Sequence, residues 1–345
     1  MNLDVLKKYL ADRKEPKFRF NQIKRAFYQE LLAAWEGVTV LPAAFRQTVQ
    51  ESVPWDALSV VKEQTVADTE KILAAGEDDS RIETVLMRHG DDRRTVCVSS
   101  QVGCPMACGF CATGQLGLKR NLTRDEIAEQ VILFARRLKL EGSRVTNAVV
   151  MGMGEPLNNY DAVLAALRLL NDPEAFGLGA RQLSLSTCGI VPGILRLAEE
   201  PLQLNLAISL HAARDELRSR LMPVNRTYPL AVLMKAVREY LAKTNRRVMF
   251  EYLMLRGVND REQDARDLAQ LLGPDFRLVQ VNLLTYHPTQ TFTASNRTQA
   301  EEFLRTLHEL GVPATHRKSF GEEIDAACGQ LAAGTRTTQH APRNI

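Results

Sequence analysis

From Thr95 to about residue 310 the chain repeats one pattern, and that pattern restricts the fold more than any other feature. Six strand-like runs occur: "TVCVSSQV" (95–102), "TNAVVMGM" (146–153), "QLSLST" (182–187), "QLNLAISLH" (203–211), "RVMFEYLML" (247–255) and "LVQVNLLTY" (278–286). Segments with apolar residues at helical spacing alternate with them, at 123–140, 160–170, 192–200, 230–243, 262–272 and 297–310. The first helical segment opens with "TRDE", a capping box from Thr123 to Glu126. Strands alternating with helices imply parallel strands joined by right-handed crossovers. The fold class is therefore α/β, and six units fit a partial barrel as well as an open sheet. In a barrel, function gathers at the C-terminal ends of the strands.

The region before this rhythm reads differently. "DVLKKYLADR", "FNQIKRAFYQELLAAW" and "LPAAFRQTVQESV" carry helical spacing, and "ETVLMRH" (83–89) reads as a short strand. The expected organisation is a small, mostly helical domain over 1–82 and a catalytic domain over 83–345. Residues 1–30 hold eight Lys/Arg against four Asp/Glu. Such a basic segment fits contact with RNA phosphates, though an ordinary solvated helix face explains it as well.

No apolar run reaches the roughly 18 residues of a membrane helix. The first twenty residues lack the apolar core of a signal peptide. A cytoplasmic protein without membrane association is expected, in which structural disulfides are disfavoured. Six cysteines in such a chain point to metal binding or redox chemistry.

Three of the six lie within eight residues. Cys104, Cys108 and Cys111 form C-x3-C-x2-C directly after the first strand. Zinc sites usually pair C-x2-C units and take four protein ligands, so zinc would need a distant fourth group. Three thiolates on a [4Fe–4S] cube would instead leave one iron without a protein ligand, an open position at which a substrate can bind. Polar residues stand at other strand ends: Gly154 and Glu155 in "MGMGEP", Ser186 in "SLSTCG", and Ser209, Leu210 and His211 in "SLH". The glycines are equally explained by a tight strand-to-helix turn, and a lone histidine is more often structural than functional.

The C-x3-C-x2-C spacing, with Phe110 before its last cysteine, resembles the radical S-adenosylmethionine (SAM) superfamily. "CVSSQVGC", "CATGQLGLKRNLT", "MGMGEPL", "NLAISLHA", "RLMPVN", "GVND" and "DAACGQLA" narrow the resemblance to the radical SAM RNA adenine methyltransferases, from about residue 82 onwards. The resemblance implies a partial (β/α)6 barrel. It implies a [4Fe–4S] cluster on Cys104, Cys108 and Cys111, and two SAM molecules per turnover. The SAM-contacting positions would be Gly154, Glu155, Ser186, Ser209, Leu210, His211 and His287; relatives usually carry Asn in place of His287. Cys328 would carry the methyl group as S-methylcysteine, Cys97 would resolve the product through a transient disulfide with Cys328, and Glu83 would accept the ring proton.

The implied substrates are an adenine of 23S rRNA and an adenine of the tRNA anticodon loop. The implied electron donor is a reductant such as flavodoxin, and the chain would act as a monomer. The family has branches that methylate C2 and C8 of adenine, and Pro156 in "MGMGEPL" favours the C2 branch. A non-catalytic iron–sulfur or zinc protein that binds RNA is the reading from another class. It leaves Cys97 and Cys328 without a task. Cys188 reads as a packing residue, and Lys119, Arg120, His316, Arg317 and Lys318 as candidate phosphate contacts.

Overall fold

The computed structural model describes residues 1–273, 277–287, 289 and 292–332. The chain opens with helices α1 (Leu3–Asp12), α2 (Phe18–Tyr28) and α3 (Ala43–Gln50). Asn2 caps α1, its side chain accepting from the backbone N–H of Asp4 and Val5, as N-cap residues do. Phe27, Trp35 and Trp55 interlock beneath these helices, the two tryptophans meeting edge-on at 4.9 Å.

The helical expectation for 1–80 fails from Ser59 onwards. Strands β1 (Ser59–Val66), β2 (Thr69–Ala75) and β3 (Arg81–Arg88) form an antiparallel meander. β1 is an edge strand with mostly exposed, polar side chains, which hid its extended character in the sequence. The expected boundary at 82/83 lies inside β3, which continues into the main sheet.

That sheet has ten strands in the order β1-β2-β3-β4-β7-β8-β9-β10-β11-β12. Strands β4 (Arg94–Val98), β7 (Asn147–Val150), β8 (Leu183–Thr187), β9 (Asn205–Ser209), β10 (Val248–Met254), β11 (Val279–Thr285) and β12 (Ala314–His316) run parallel. All six expected parallel strands are present; β12 is an unexpected seventh. The intervening helices are α5 (Arg124–Leu140), α6 (Tyr160–Asn171), α7 (Val191–Leu197), α8 (Asp215–Leu221), α9 (Leu230–Thr244), α10 (Glu262–Leu272) and α11 (Arg297–Glu309). The Thr123–Glu126 capping box is formed. Parallel strands in sequence order, with no reversal, are the winding of a barrel rather than of a doubly wound sheet with a switch point.

The first expected strand, 95–102, splits in two. After β4 the chain bends, and the N–H groups of Ser100 and Gln101 both donate to Met153 O. β5 (Gln101–Cys104) then pairs with β6 (Gly117–Asn121) in a separate ribbon. Gly103 sits at φ +77°, and a Cβ there would lie 1.8 Å from Gly117 O, so no side chain fits.

β1 and β12 are opposite edges of the sheet, and the segment after β12 spans the opening between them. Lys318 pairs with Asp68, and the Phe320 ring meets His89 at 4.7 Å. Lys71 Nζ donates to Asp325 O at 3.2 Å, and the Ala332 N–H donates to Glu83 Oε2 at 2.7 Å. A partial barrel is thus closed by polar contacts to the C-terminal segment. No described helix is long and apolar enough to cross a membrane.

Lys71 and Glu83 form a buried ion pair at 2.9 Å that anchors this closure. Lys71→Met should cost about 3 kcal/mol, because it leaves a buried carboxylate without its cation. Limited proteolysis should then cut within 317–332 several-fold faster than in the unchanged chain. Equal melting temperatures and equal cleavage rates would show that the pair does not hold the segment.

Candidate active site

A cavity of about 220 Å³ opens at the C-terminal ends of the parallel strands. All six cysteines line it together: Cys97, Cys104, Cys108, Cys111, Cys188 and Cys328. Cys97 comes from β4, Cys104 from the end of β5 and Cys328 from the closing segment.

The loop carrying Cys108 and Cys111 is fastened from three directions. Gly109 N donates to Leu221 O at 3.0 Å, Thr289 Oγ1 donates to Phe110 O at 3.0 Å, and Ala112 N donates to Gly329 O at 2.8 Å. Helix α4 (Ala112–Gln115) follows, and Thr113 Oγ1 donates to Leu331 O at 2.6 Å. The exit of the cysteine loop is therefore bonded directly to the segment that holds Cys328.

Burial pushes the Cys104 thiol up to about 12 and the Cys108 thiol well above its usual value. Left alone these groups stay protonated; bound iron would supply the cationic charge that ionises them. Among the described residues no three His, Cys, Asp or Glu side chains converge as ligands of a single ion. Cys104, Cys108 and Cys111 lie close enough to act on one another, and three neighbouring thiols are a donor set that fits the cube.

Glu155 is buried, and both carboxylate oxygens are used: Oε1 accepts from Leu157 N (3.0 Å) and Oε2 from Cys188 N (2.8 Å). Burial holds its pKa above the usual value. Gly154 has φ +102°, and a Cβ there would lie 2.6 Å from the Gln101 side chain. The tight-turn explanation of this glycine is correct, and it lines the cavity as well. Ser186 and Ser209, on adjacent strands, bring their hydroxyls within 3.3 Å at the cavity wall.

His211 also lines the cavity, edge-on to Phe110 at 4.7 Å. Its Nδ1 accepts from Leu253 N at 3.0 Å, and burial lowers its pKa to about 3, so the ring is neutral. Leu210 is fully buried in the core and off the cavity; its backbone meets Glu251 and Arg218. His287 lines the cavity with both ring nitrogens engaged, Nε2 with Ser319 Oγ (2.8 Å) and Nδ1 with Glu322 Oε1 (3.2 Å). It therefore braces the closing segment.

Cys328 lies near enough to Cys97 for its thiolate to raise the Cys97 pKa. Burial takes Cys97 up to about 12. Cys328 is open to the cavity yet surrounded by protein, and burial raises its pKa while Arg317 draws it down. Glu83, the expected proton acceptor, is buried off the cavity, bound to Lys71 and Ala332.

Glu251 lines the cavity and was not recognised in the sequence, and Arg317 lines it although it was assigned to RNA. Glu251 Oε1 accepts from Asn282 Nδ2 at 2.9 Å, and its Oε2 lies 3.5 Å from Arg317 Nη1. A single carboxylate inside the apolar run "VMFEYLML" was the available signal. Arg317, expected at RNA phosphates, faces the cavity instead. Arg120 is held by Asp78 (2.9 Å) and Glu126 (2.7 Å), and Lys318 by Asp68, so these cations have intramolecular partners. Cys188 is buried and donates its N–H to Glu155.

The strand winding and the cysteine loop define a class, and residues 98–272 match the radical SAM superfamily. Over nearly the full length the chain resembles curated proteins described as probable dual-specificity RNA methyltransferase RlmN. The relative from Chloroflexus aurantiacus is 47% identical over 348 residues, spanning 96% of this chain and 91% of the relative. That from Geobacillus kaustophilus is 44% identical, spanning 97% and 92%. A solved radical SAM methyltransferase from Sphaerobacter thermophilus superposes with a TM-score of 0.92 at 44% identity, covering 96% of this chain and 98% of the other. The chain belongs to the RlmN family of radical SAM RNA methyltransferases.

Cys108→Ala should abolish cluster uptake on anaerobic reconstitution, because no spare thiol lies in the loop. Full iron and sulfide content in that variant would refute the ligand assignment. In the reduced, cluster-free chain, the raised Cys97 pKa keeps the thiol protonated at pH 8. Iodoacetamide should label it about a thousandfold more slowly than in the unfolded chain, with the rate rising as pH approaches 12. Equal labelling rates at pH 8 would contradict the burial of Cys97.

Proposed function

We propose that this chain methylates C2 of an adenine in 23S rRNA and of an adenine in the tRNA anticodon loop, through a methyl group carried on Cys328. The observation that carries the proposal is that Cys328 and Cys97, more than two hundred residues apart, line one cavity with the three-cysteine loop. The relatives' description as dual-specificity RNA methyltransferases supports two RNA substrate classes.

Adenine C2 has no lone pair with which to attack a methyl cation, so ordinary methyl transfer fails and a carbon radical is needed. Cys104, Cys108 and Cys111 would hold the cluster, and Gly154, Glu155, Ser186, Ser209, His211 and His287 would surround SAM. Two SAM molecules per turnover, with the cluster and an electron from a flavodoxin-class donor, supply the methyl group and the radical. Cys328 takes the methyl group on Sγ. After that methyl loses one hydrogen atom, its carbon bonds to the adenine ring. Glu83 accepts the ring proton, which requires RNA entry to loosen its contacts with Lys71 and Ala332. Cys97 then attacks Cys328: an S–S bond forms, the S–CH2 bond breaks, the freed carbon takes a proton to become the product methyl, and the adduct's one surplus electron would return to the redox group that supplied it, leaving a transient catalytic disulfide. The adenine must first be unstacked into the cavity. Exposed His316 at the end of β12 and the basic N-terminal helices supply candidate phosphate contacts.

RNA from a deletion strain complemented with this chain should contain 2-methyladenosine by chromatography and mass spectrometry. Finding 8-methyladenosine instead would overturn the C2 assignment. Cys97→Ala should trap a covalent RNA adduct through Cys328 on denaturing gels. Normal release of methylated RNA by Cys97→Ala would remove it as the resolving thiol.

A further inference from the structure

Arg218 on α8 is fully buried. Its guanidinium donates from Nε to Leu210 O (3.1 Å), from Nη1 to Asn225 Oδ1 (2.9 Å), and from Nη2 to Cys188 O (2.7 Å) and Ser209 O (3.2 Å). Every acceptor is neutral. Asp215 is the one carboxylate that acts on the guanidinium, and its Oδ1 is already occupied by the Leu230 N–H (2.8 Å) and Asn225 Nδ2 (2.8 Å). A cation deprived of both water and a paired anion is costly, so the site calls for negative charge from elsewhere.

Leu217 and Leu221, on the same helix as Arg218, pack in one buried cluster with Cys188 and Cys108, so both thiols lie against the element that carries the guanidinium. Cys188 already contributes its carbonyl to the guanidinium, and both cysteines line the cavity. The helix that carries Arg218 also holds the cysteine loop, through the Gly109 N–H to Leu221 O bond of 3.0 Å. We propose that Arg218 is the resident counter-charge of the iron–sulfur site, a positioning residue behind Cys108 that offsets the negative charge of the thiolate-bound cluster. The offset matters most after the cluster takes one electron from its donor, because the site is then one unit more negative. Cluster potentials follow net charge, nearby hydrogen bonds and solvent exposure, and a buried cation acts strongly where the dielectric is low. The inference rests on the three-cysteine cluster assignment.

The test is a redox titration followed by electron paramagnetic resonance on the reconstituted full chain, without SAM or RNA. Wild type is compared with Arg218→Lys, which keeps the charge, and Arg218→Gln, which keeps hydrogen-bonding capacity without it. Arg218→Gln should bind the electron at least tenfold more weakly, a 59 mV fall in midpoint potential for one electron, while Arg218→Lys stays closer to wild type. Equal midpoints in all three would overturn the proposal. If Arg218→Gln takes up no cluster and Arg218→Lys does, the charge is needed to hold the anion, as proposed. If both fail, or Arg218→Lys behaves like Arg218→Gln or worse, Arg218 is a hydrogen-bond brace and the proposal is wrong. A wild-type chain that takes up no cluster would sink the cluster assignment, and this inference with it.

Discussion

The 2.8 Å hydrogen bond from Ala112 N to Gly329 O joins the exit of the cysteine loop to the closing segment. Thr113 adds a second bond to the same segment at Leu331. The catalytic reading depends on this seam. Without it the sheet still forms, since each parallel strand is bonded to its neighbours, but Cys328 has no fixed place over the cavity. The other fastenings, Lys71 and Glu83 on one side and His287 on the other, act on the same segment from β2, β3 and the end of β11. They are polar and charge-assisted rather than apolar. Such contacts can exchange partners when RNA enters, which a packed apolar seam could not do without exposing its surface.

The electrostatics of the cavity follow from burial. Its cysteines are desolvated and favour the neutral thiol. Two arginines act there: Arg218 on Cys108, and Arg317 on Cys328 and Glu251. In the proposed mechanism each of these sulfurs carries charge at some stage. Neutral His211, lodged between Phe110 and the backbone of Leu253, adds no competing cation.

Much of this was legible in the sequence, for physical reasons. Buried parallel strands appear as near-continuous apolar runs, so β7 to β11 and the helices between them, except the short and charged α8, could be placed within a few residues. β1 was not legible because an exposed edge strand alternates weakly, and "SVVKEQTV" is largely polar. The split of the first strand was hidden because the bend at Ser99 and Ser100 is fixed by a distant carbonyl, Met153 O. The three-cysteine spacing signalled a metal or cluster site by itself, and resemblance supplied the cluster. That Cys97 and Cys328 share its cavity could not be read from spacing, since a parallel barrel brings remote residues together at its rim; resemblance supplied it. Leu210 shows the limit of carrying a motif over whole: its neighbours face the cavity, and its own side chain faces the core.

The central claim is that the closed partial barrel presents Cys328 to methyl transfer in the cluster's own cavity. Peptide mass spectrometry of Ser319–Arg336 from chain purified out of cells tests it most directly. The account predicts one added methyl group on Cys328 in the wild-type chain and none when Cys108 is replaced by alanine. An unmethylated Cys328 in wild-type protein with a full cluster, or a methylated one in the cluster-free variant, would contradict it.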